Sequence, residues 1–276
     1  MVLPVVLTVA GSDSGGGAGI QADLKTFHAC GVHGVSATTS VTSQNTQGVQ
    51  DRFDLPAEVV RSQMESIFTD FDIAALKTGM LASATIIRVV AGALRLYPHG
   101  PLVVDPVMVS SNGSLLLDLE ALSDMVGELL PLAEIVTPNV PEAEALTGRR
   151  ILDSEDMREA ARDISLETGC RNVLLKGGHL ATPAGSIDIL FMREAGEWAE
   201  FAGELLEAKN AHGTGCVLSA ALVCGLAKGL DIRSAVVRAR DTVSTALRNS
   251  LEVGHGSGPV HLPCSEPDGL YGQTES

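Results

Sequence analysis

The chain has 276 residues, 45% of them hydrophobic and only 19% charged, with a formal net charge of -15. That length fits one large α/β domain or two small ones, and it is too apolar for disorder. Both halves are acidic, with 6 basic against 14 acidic side chains in residues 1–140 and 13 against 20 in residues 141–276; binding to nucleic acid or to an anionic membrane by counterion release is not expected.

Residues 3–10 read as a buried strand, so the apolar start is a first strand rather than a signal peptide. A loop over Gly11–Gly19 leads to a helix over 20–29. A short strand at 34–41 and a polar loop over Thr42–Gly48 follow. Helix 56–69 carries Val59, Val60, Met64 and Ile67 on one face. Strand 73–77, helix 83–96, strand 101–105, helix 118–130 and strand 133–137 come next. The second half continues with helices 141–147 and 154–168, strand 172–176, a hairpin of 186–192 with 197–201, and helices 216–228 and 231–249. From Gly254 the composition turns to Gly, Pro and Ser, so residues 1–256 are expected to form the domain and 257–276 a loose tail. No stretch of eighteen apolar residues predicts a membrane span. Five cysteines without a CxxC pair predict neither zinc nor a disulfide framework, which makes a reducing cytosol the default.

Short apolar strands alternating with helices predict a mostly parallel sheet covered on both faces. In such sheets the ligand site lies beyond the carboxyl ends of the strands. Four constellations fall there. The first is Gly11-Ser-Asp-Ser-Gly-Gly-Gly-Ala-Gly19, which admits close backbone approach or is a tight turn. Asp23, placed in the first turn of the following helix, is either a helix-terminal acid or a carboxylate over the ligand. The second is Gln44, whose amide either pairs with an amide-like edge of a heterocycle or is an ordinary solvated loop side chain. The third joins Asp105 to Asn139-Val-Pro-Glu142. Both acids are suited to Mg²⁺ beside a polyphosphate, or else to capping a turn and a helix. Lys176, leading into Gly177-Gly178-His179, offers positive charge to phosphates. The fourth is Asn210-Ala-His-Gly-Thr-Gly-Cys216 before an apolar helix. Gly213, Thr214 and Gly215 leave amides facing one point, an anion hole. Cys216 lies in the first turn, where the dipole is expected to lower its thiol pKa.

These stretches give the chain its resemblance to a known family. AGSDSGGGAGIQADLKTF (10–27), TSVTSQNTQGV (39–49), KTGML (77–81), DPVM (105–108), TPNVPEAEALTG (137–148), LKGGH (175–179) and HGTGCVLSAA (212–221) are collinear. They are similar to the hydroxymethylpyrimidine/phosphomethylpyrimidine kinases of the ribokinase-like superfamily. The resemblance implies a three-layer α/β/α domain, usually a homodimer, that uses Mg²⁺ and ATP to phosphorylate a hydroxymethylpyrimidine and then its monophosphate. It implies that Gln44 and Asp23 contact the pyrimidine, and that Gly11, Ala18, Met80 and Val107 shape its pocket. Asn139, Glu142, Lys176 and His212 fall on the nucleotide and phosphate side, with Asp105 and Glu142 toward the metal. Gly213–Cys216 match the anion hole, with Cys216 as base or orienting group for the acceptor hydroxyl. Departures are Gly15 for a second serine, Ala211 for the usual threonine before His212, and Ser110-Ser-Asn-Gly113 where Ala-Lys-Ser-Gly is common. A pyridoxal-type kinase and a non-catalytic ligand sensor are the alternatives.

Overall fold

The structure is a computed structural model that describes residues 3–108, 119–178, 186–203 and 210–263. The departures at Ser110–Gly113, His179 and residues 264–276 lie outside them.

Nine strands of the described residues form one sheet: β1 (Val5–Asp13), β2 (His33–Asn45), β3 (Gly48–Asp54), β4 (Ile73–Thr78), β5 (Leu102–Val104), β6 (Ile135–Val136), β7 (Asn172–Leu175), β8 (Ser186–Met192) and β9 (Glu197–Gly203). Their order is β3-β2-β1-β4-β5-β6-β7-β8-β9. The six from β2 to β7 in that order pair in parallel, while β3, β8 and β9 add antiparallel edges. The expected α/β class is therefore observed. β3 is a correction: the polar stretch expected as a loop closes a hairpin with β2, and Gln44 lies on a strand.

Among the described residues eight α-helices cover the sheet: α1 (Gly19–Ala29), α2 (Ala57–Phe68), α3 (Ala84–Leu96), α4 (Leu119–Asp124), α5 (Val140–Thr147), α6 (Ser154–Thr168), α7 (Thr214–Ala227) and α8 (Ile232–Arg248). Strand alternation sorts the core into two layers. Leu7, Val9, Leu76, Val104, Val136 and Val173 face α2 to α6. Val6, Ala75, Val103, Ile135 and Leu174 face α1, α7 and α8. α7 is apolar all round, as a helix buried between the sheet and a second helix must be. The helix expected over 118–130 leaves α geometry after Asp124, passing through a π turn (Met125–Leu129) and a 3-10 turn (Leu130–Leu132). Pro131 lacks the amide hydrogen and obstructs the carbonyl four residues back, so a regular helix cannot run through it. No helix among the described residues is long and apolar enough to cross a membrane.

The chain runs from β1 outward through β2 and β3, then crosses to β4 on the other side of β1. The crevice between the carboxyl ends of β1 and β4 is thus the topological switch point, the general ligand position in open α/β sheets. Beneath it lies a buried ion pair. Lys77 Nζ on β4 donates to Asp23 Oδ1 on α1 at 2.8 Å, and both side chains are 0% exposed. Thr8 Oγ1 on β1 donates to the other oxygen at 2.6 Å. Burial favours neutral lysine, but Asp23, and then Cys216 and Asp105, hold Lys77 protonated above its ordinary range. Burial pushes the Asp23 carboxyl up against the opposing pull of Lys77.

The segment expected as a tail is also corrected at its start. Residues 255–261 are stitched into the domain: Thr46 Oγ1 accepts from the amides of His255 and Gly256, both at 3.1 Å, and Thr46 O from Ser257 N at 2.9 Å. Asn210 Oδ1 accepts from Gly258 N at 2.8 Å, and Val260 N donates to His212 O at 3.0 Å. Glycine and proline here serve close backbone packing rather than disorder.

Removing one member of the buried pair leaves an uncompensated charge, so Lys77→Met is expected to destabilise by about 3–5 kcal/mol. The double variant Lys77→Met/Asp23→Asn should recover more than half of that in urea unfolding. Additive losses from Lys77→Met and Asp23→Asn would contradict the coupling.

Candidate active site

A cavity of about 1160 Å³ opens at the switch point, lined from the ends of β1, β2, β4 and β5, the starts of α5 and α7, and Gly256–Ser257. It brings together every residue predicted for the site: Gly11, Ala18, Asp23, Gln44, Met80, Asp105, Val107, Asn139, Glu142, Lys176, His212 and Gly213 to Cys216 all line it.

The loop after β1 is organised by Asp13, which the sequence reading left inside a glycine motif. Its Oδ1 accepts from Gly15 N at 2.8 Å, and its Oδ2 from Gly17 N at 3.0 Å and Ala18 N at 2.8 Å. His212 Nε2 lies 3.2 Å from the same Oδ2. Burial works against this charge, but the His212 contact and the loop amides outweigh it, and the carboxyl stays below its ordinary value. The loop then feeds α1. Asp23 is the fifth residue of that helix, beyond its first turn. Its carboxylate is fully covered, with both oxygens committed to Lys77 and Thr8. It supports the cavity from beneath rather than standing over a ligand.

The opposite wall carries charge of both signs. Lys176 Nζ lies 3.3 Å from Asp105 Oδ1. Ser219 Oγ on α7 donates to Asp105 Oδ2 at 3.2 Å, and Thr137 Oγ1 to Oδ1 at 3.4 Å. Burial would raise the Asp105 carboxyl, but Lys176 and then Lys77 pull it below its usual range. Lys176 in turn is held protonated against burial by Asp105 and Glu142. Asn139 and Glu142 form a reciprocal capping box at the start of α5: Asn139 Oδ1 accepts from Glu142 N at 2.9 Å and Glu142 Oε2 from Asn139 N at 2.8 Å. Burial first, and the nearby Asp105 against the pull of Lys176, push the Glu142 carboxyl up to about 7.

Between these walls α7 begins at Thr214, two residues before the expected start. Gly213 precedes it with φ +90°, and a Cβ there would lie 2.0 Å from Gly17 O. Only glycine permits both the left-handed turn and this contact with the first loop. The amides of a helix's first turn lack helical partners, and a Cβ built on Gly215 would stand 3.7 Å from Lys176 Nζ. Thr214 N donates to Ala211 O at 3.4 Å, so the amides of Gly215 and Cys216, the helix dipole and Lys176 are the groups suited to an anion here, with Asp105 Oδ2 3.8 Å from the same built Cβ. Cys216 corrects the expected low thiol pKa. Burial pushes it up to about 11, outweighing the nearby Lys77 and the amide of Gly19. His212, expected on the phosphate side, is engaged with Asp13 and Gln44 instead. Lys77 is a further residue of this site, and its signal in the sequence is a lone cation near the end of an apolar strand.

Glu142 yields a pH prediction. Between its ordinary value of 4.5 and about 7, the folded chain holds more protons than the unfolded one. Stability contributed by this group is therefore present at acid pH and lost as pH rises through that window. Glu142→Gln keeps an acceptor for Asn139 N and removes the charge. In urea unfolding of the metal-free protein it should match the parent at pH 5 and exceed it at pH 8 by about 1–3 kcal/mol. No gain at pH 8 would contradict the assignment.

Comparison with known proteins is consistent with this site. The family model described as phosphomethylpyrimidine kinase matches residues 13–261. The hydroxymethylpyrimidine/phosphomethylpyrimidine kinase of Haemophilus influenzae is 45% identical over 258 residues, covering 93% of this chain and 95% of the relative. The thiamine biosynthesis bifunctional protein ThiED of Geobacter sulfurreducens is 48% identical over 262 residues, 95% of this chain. The chain spans only about half of that longer protein, 53%. Among solved structures, the pyridoxal kinase of Staphylococcus aureus in complex with AMP-PCP and pyridoxal superposes with a TM-score of 0.85 at 33% identity, covering 94% of this chain and 93% of that one. With a switch-point cavity, an anion site at α7 and a family match over nearly the whole domain, the chain belongs to the phosphomethylpyrimidine kinase family.

Proposed function

We propose that the chain transfers the γ-phosphoryl group of ATP to the hydroxymethyl oxygen of 4-amino-5-hydroxymethyl-2-methylpyrimidine, and then to the phosphate oxygen of the monophosphate. The observation that carries this reading is the pairing, across one cavity, of the α7 anion site with the Gln44 wall. In each step the bond from the γ-phosphorus to the bridging oxygen of ATP breaks as a bond to the acceptor oxygen forms; ADP leaves, and in the first step the hydroxyl proton passes to an oxygen of the transferred phosphoryl group and from there to water. The amides of Gly213 to Cys216 and the Lys176 ammonium stabilise charge on the group in flight. Gly11, Ala18, Met80 and Val107 shape the acceptor's side, and Gln44 reads its polar edge. The pyridoxal kinase resemblance, at 33% identity, keeps pyridoxal as the second acceptor to test. Rates with the aminopyrimidine should exceed those with pyridoxal, and the reverse ranking would overturn the assignment.

Asp105 and Glu142 fit Mg²⁺ held partly through water. They are two mutually repelling buried acids with Lys176 between them in charge, and a divalent cation relieves that repulsion. No group of three or more His, Cys, Asp or Glu among the described residues makes a closed metal cage. That suits a cation which takes most of its ligands from water and phosphates. When bound, it neutralises charge on the β- and γ-phosphates. Because the chain carries a net charge of -15 and meets anions only locally, ATP should bind weakly without the metal. Calorimetry in EDTA should show at least a tenfold loss of affinity, and undiminished metal-free binding would contradict this.

Cys216 is read as an orienting donor and acceptor rather than a base. With its thiol at about 11, forming a thiolate at pH 7 costs about 5 kcal/mol. Cys216→Ser should keep alcohol phosphorylation within about tenfold, and Cys216→Ala should impair that step more than phosphorylation of the already ionised monophosphate. A loss of about a thousandfold in Cys216→Ser would restore the base role.

A further inference from the structure

We propose that Asp13 and His212 form a positioning pair that fixes which way the Gln44 amide faces, and that this direction selects a 4-aminopyrimidine over its 4-oxo counterpart. The argument begins with hydrogen accounting. Asp13 is 3% exposed and accepts from three loop amides, as an ionised acid does. Such a group has no hydrogen to give, so the His212 nitrogen 3.2 Å from Oδ2 must carry one. That same Nε2 lies 3.2 Å from the Gln44 amide nitrogen as placed. Two donors would then face each other. At the other end Thr42 Oγ1 stands 3.2 Å from the Gln44 amide oxygen and 3.0 Å from Ser12 O. As placed, its single hydrogen would serve two acceptors.

Half a turn of the amide, whose two ends are near-identical in shape, removes the donor–donor clash at His212 and leaves Thr42 a single acceptor. The carbonyl then accepts from His212 Nε2, shared with Asp13. The amide nitrogen gives one hydrogen to Thr42, and Thr42 gives its own to Ser12 O. Donation then runs outward from His212, back to Asp13 and forward through Gln44 and Thr42 to Ser12 O, and the Nε2 hydrogen is the one that is shared. Gln44 retains one free lone pair and one free hydrogen. An adjacent N–H and ring nitrogen, the edge of a 4-aminopyrimidine, complements that pair. A 4-oxo ring reverses the order and presents acceptor to acceptor.

The imidazole is held where this requires. A Cβ on Gly17 would lie 2.5 Å from His212 Cδ2, so the ring is seated where only glycine leaves room. His212 N donates to Gly258 O at 3.3 Å, and His212 O accepts from Val260 N at 3.0 Å. Gln44 is anchored too: its backbone N donates to Ser14 Oγ at 2.8 Å, and Ser14 Oγ stands 2.8 Å from Gln44 O.

The specificity half of the proposal rests on the aminopyrimidine reading above, and its test separates the two. The ratio of kcat/KM for the 4-amino over the 4-oxo hydroxymethylpyrimidine is measured in the full chain. The parent ratio is expected at about a hundredfold or more, because a site built for one hydrogen-bond order leaves groups unpaired with the other. His212→Leu, which removes the donor, should lower the ratio at least tenfold, and His212→Gln, which restores an N–H, should recover most of it. Parallel losses on both substrates with the ratio unchanged would overturn the proposal. Nitrogen-15 NMR of the histidine-labelled parent gives a readout that needs no folded variant but the conservative one. His212→Gln identifies the His212 signal among the seven histidines. Nε2 should be protonated, and a bare Nε2 overturns the assignment. A parent that phosphorylates neither pyrimidine overturns the substrate reading, and the proton assignment then stands or falls on the NMR.

Discussion

The Lys77–Asp23 ion pair is the constraint on which the site depends. It joins β4 to α1 across the switch point, with both charges removed from water. Desolvation of this kind is tolerated only where partners are complete, and Thr8 completes the set. Its reach extends upward: Lys77 acts on both Cys216 and Asp105, the thiol in the first turn of α7 and the acid that holds Lys176. A single buried cation thus sets the electrostatic floor under two walls that come from distant parts of the chain.

That floor reconciles an acidic protein with anionic ligands. No basic face is needed when two lysines, both paired to carboxylates, stand next to a helix N-terminus in a crevice of low dielectric. The pairing keeps each lysine charged and positioned before any ligand arrives. The net charge of -15 keeps the outer surface repulsive, so attraction is confined to the place where helix amides and lysine act together.

Much of this was legible in residue order. Apolar strands such as Val5–Ala10 and Leu102–Val104, each ending in a polar or glycine cluster, announce a parallel sheet and the edge where ligands bind. Gly213-Thr-Gly215 before an apolar helix announces the anion site. The failures have physical reasons. β3 is a largely exposed edge strand, and Val49 to Phe53 lack the alternation that half-burial imposes. The pKa of Cys216 depends on burial set by the packing of α1 against α7, which local sequence does not encode. Asp13 and His212 are 199 positions apart, so their contact is visible only in three dimensions. Residues 255–261 carry a composition usual for tails because the backbone, rather than side chains, makes their contacts.

Those last contacts have a bearing on how the protein is made. The bonds from Thr46 to His255 and Gly256 close loops of 209 and 210 residues, among the longest separations in the fold. Contacts of this range form late, since local elements assemble as synthesis proceeds. A nascent chain can therefore complete most of its sheet and bury most of its core while the β2–β3 turn is still unfastened. The cavity gains its last wall only when the segment after α8 leaves the ribosome, so competence to hold ligand follows, rather than accompanies, the folding of the domain.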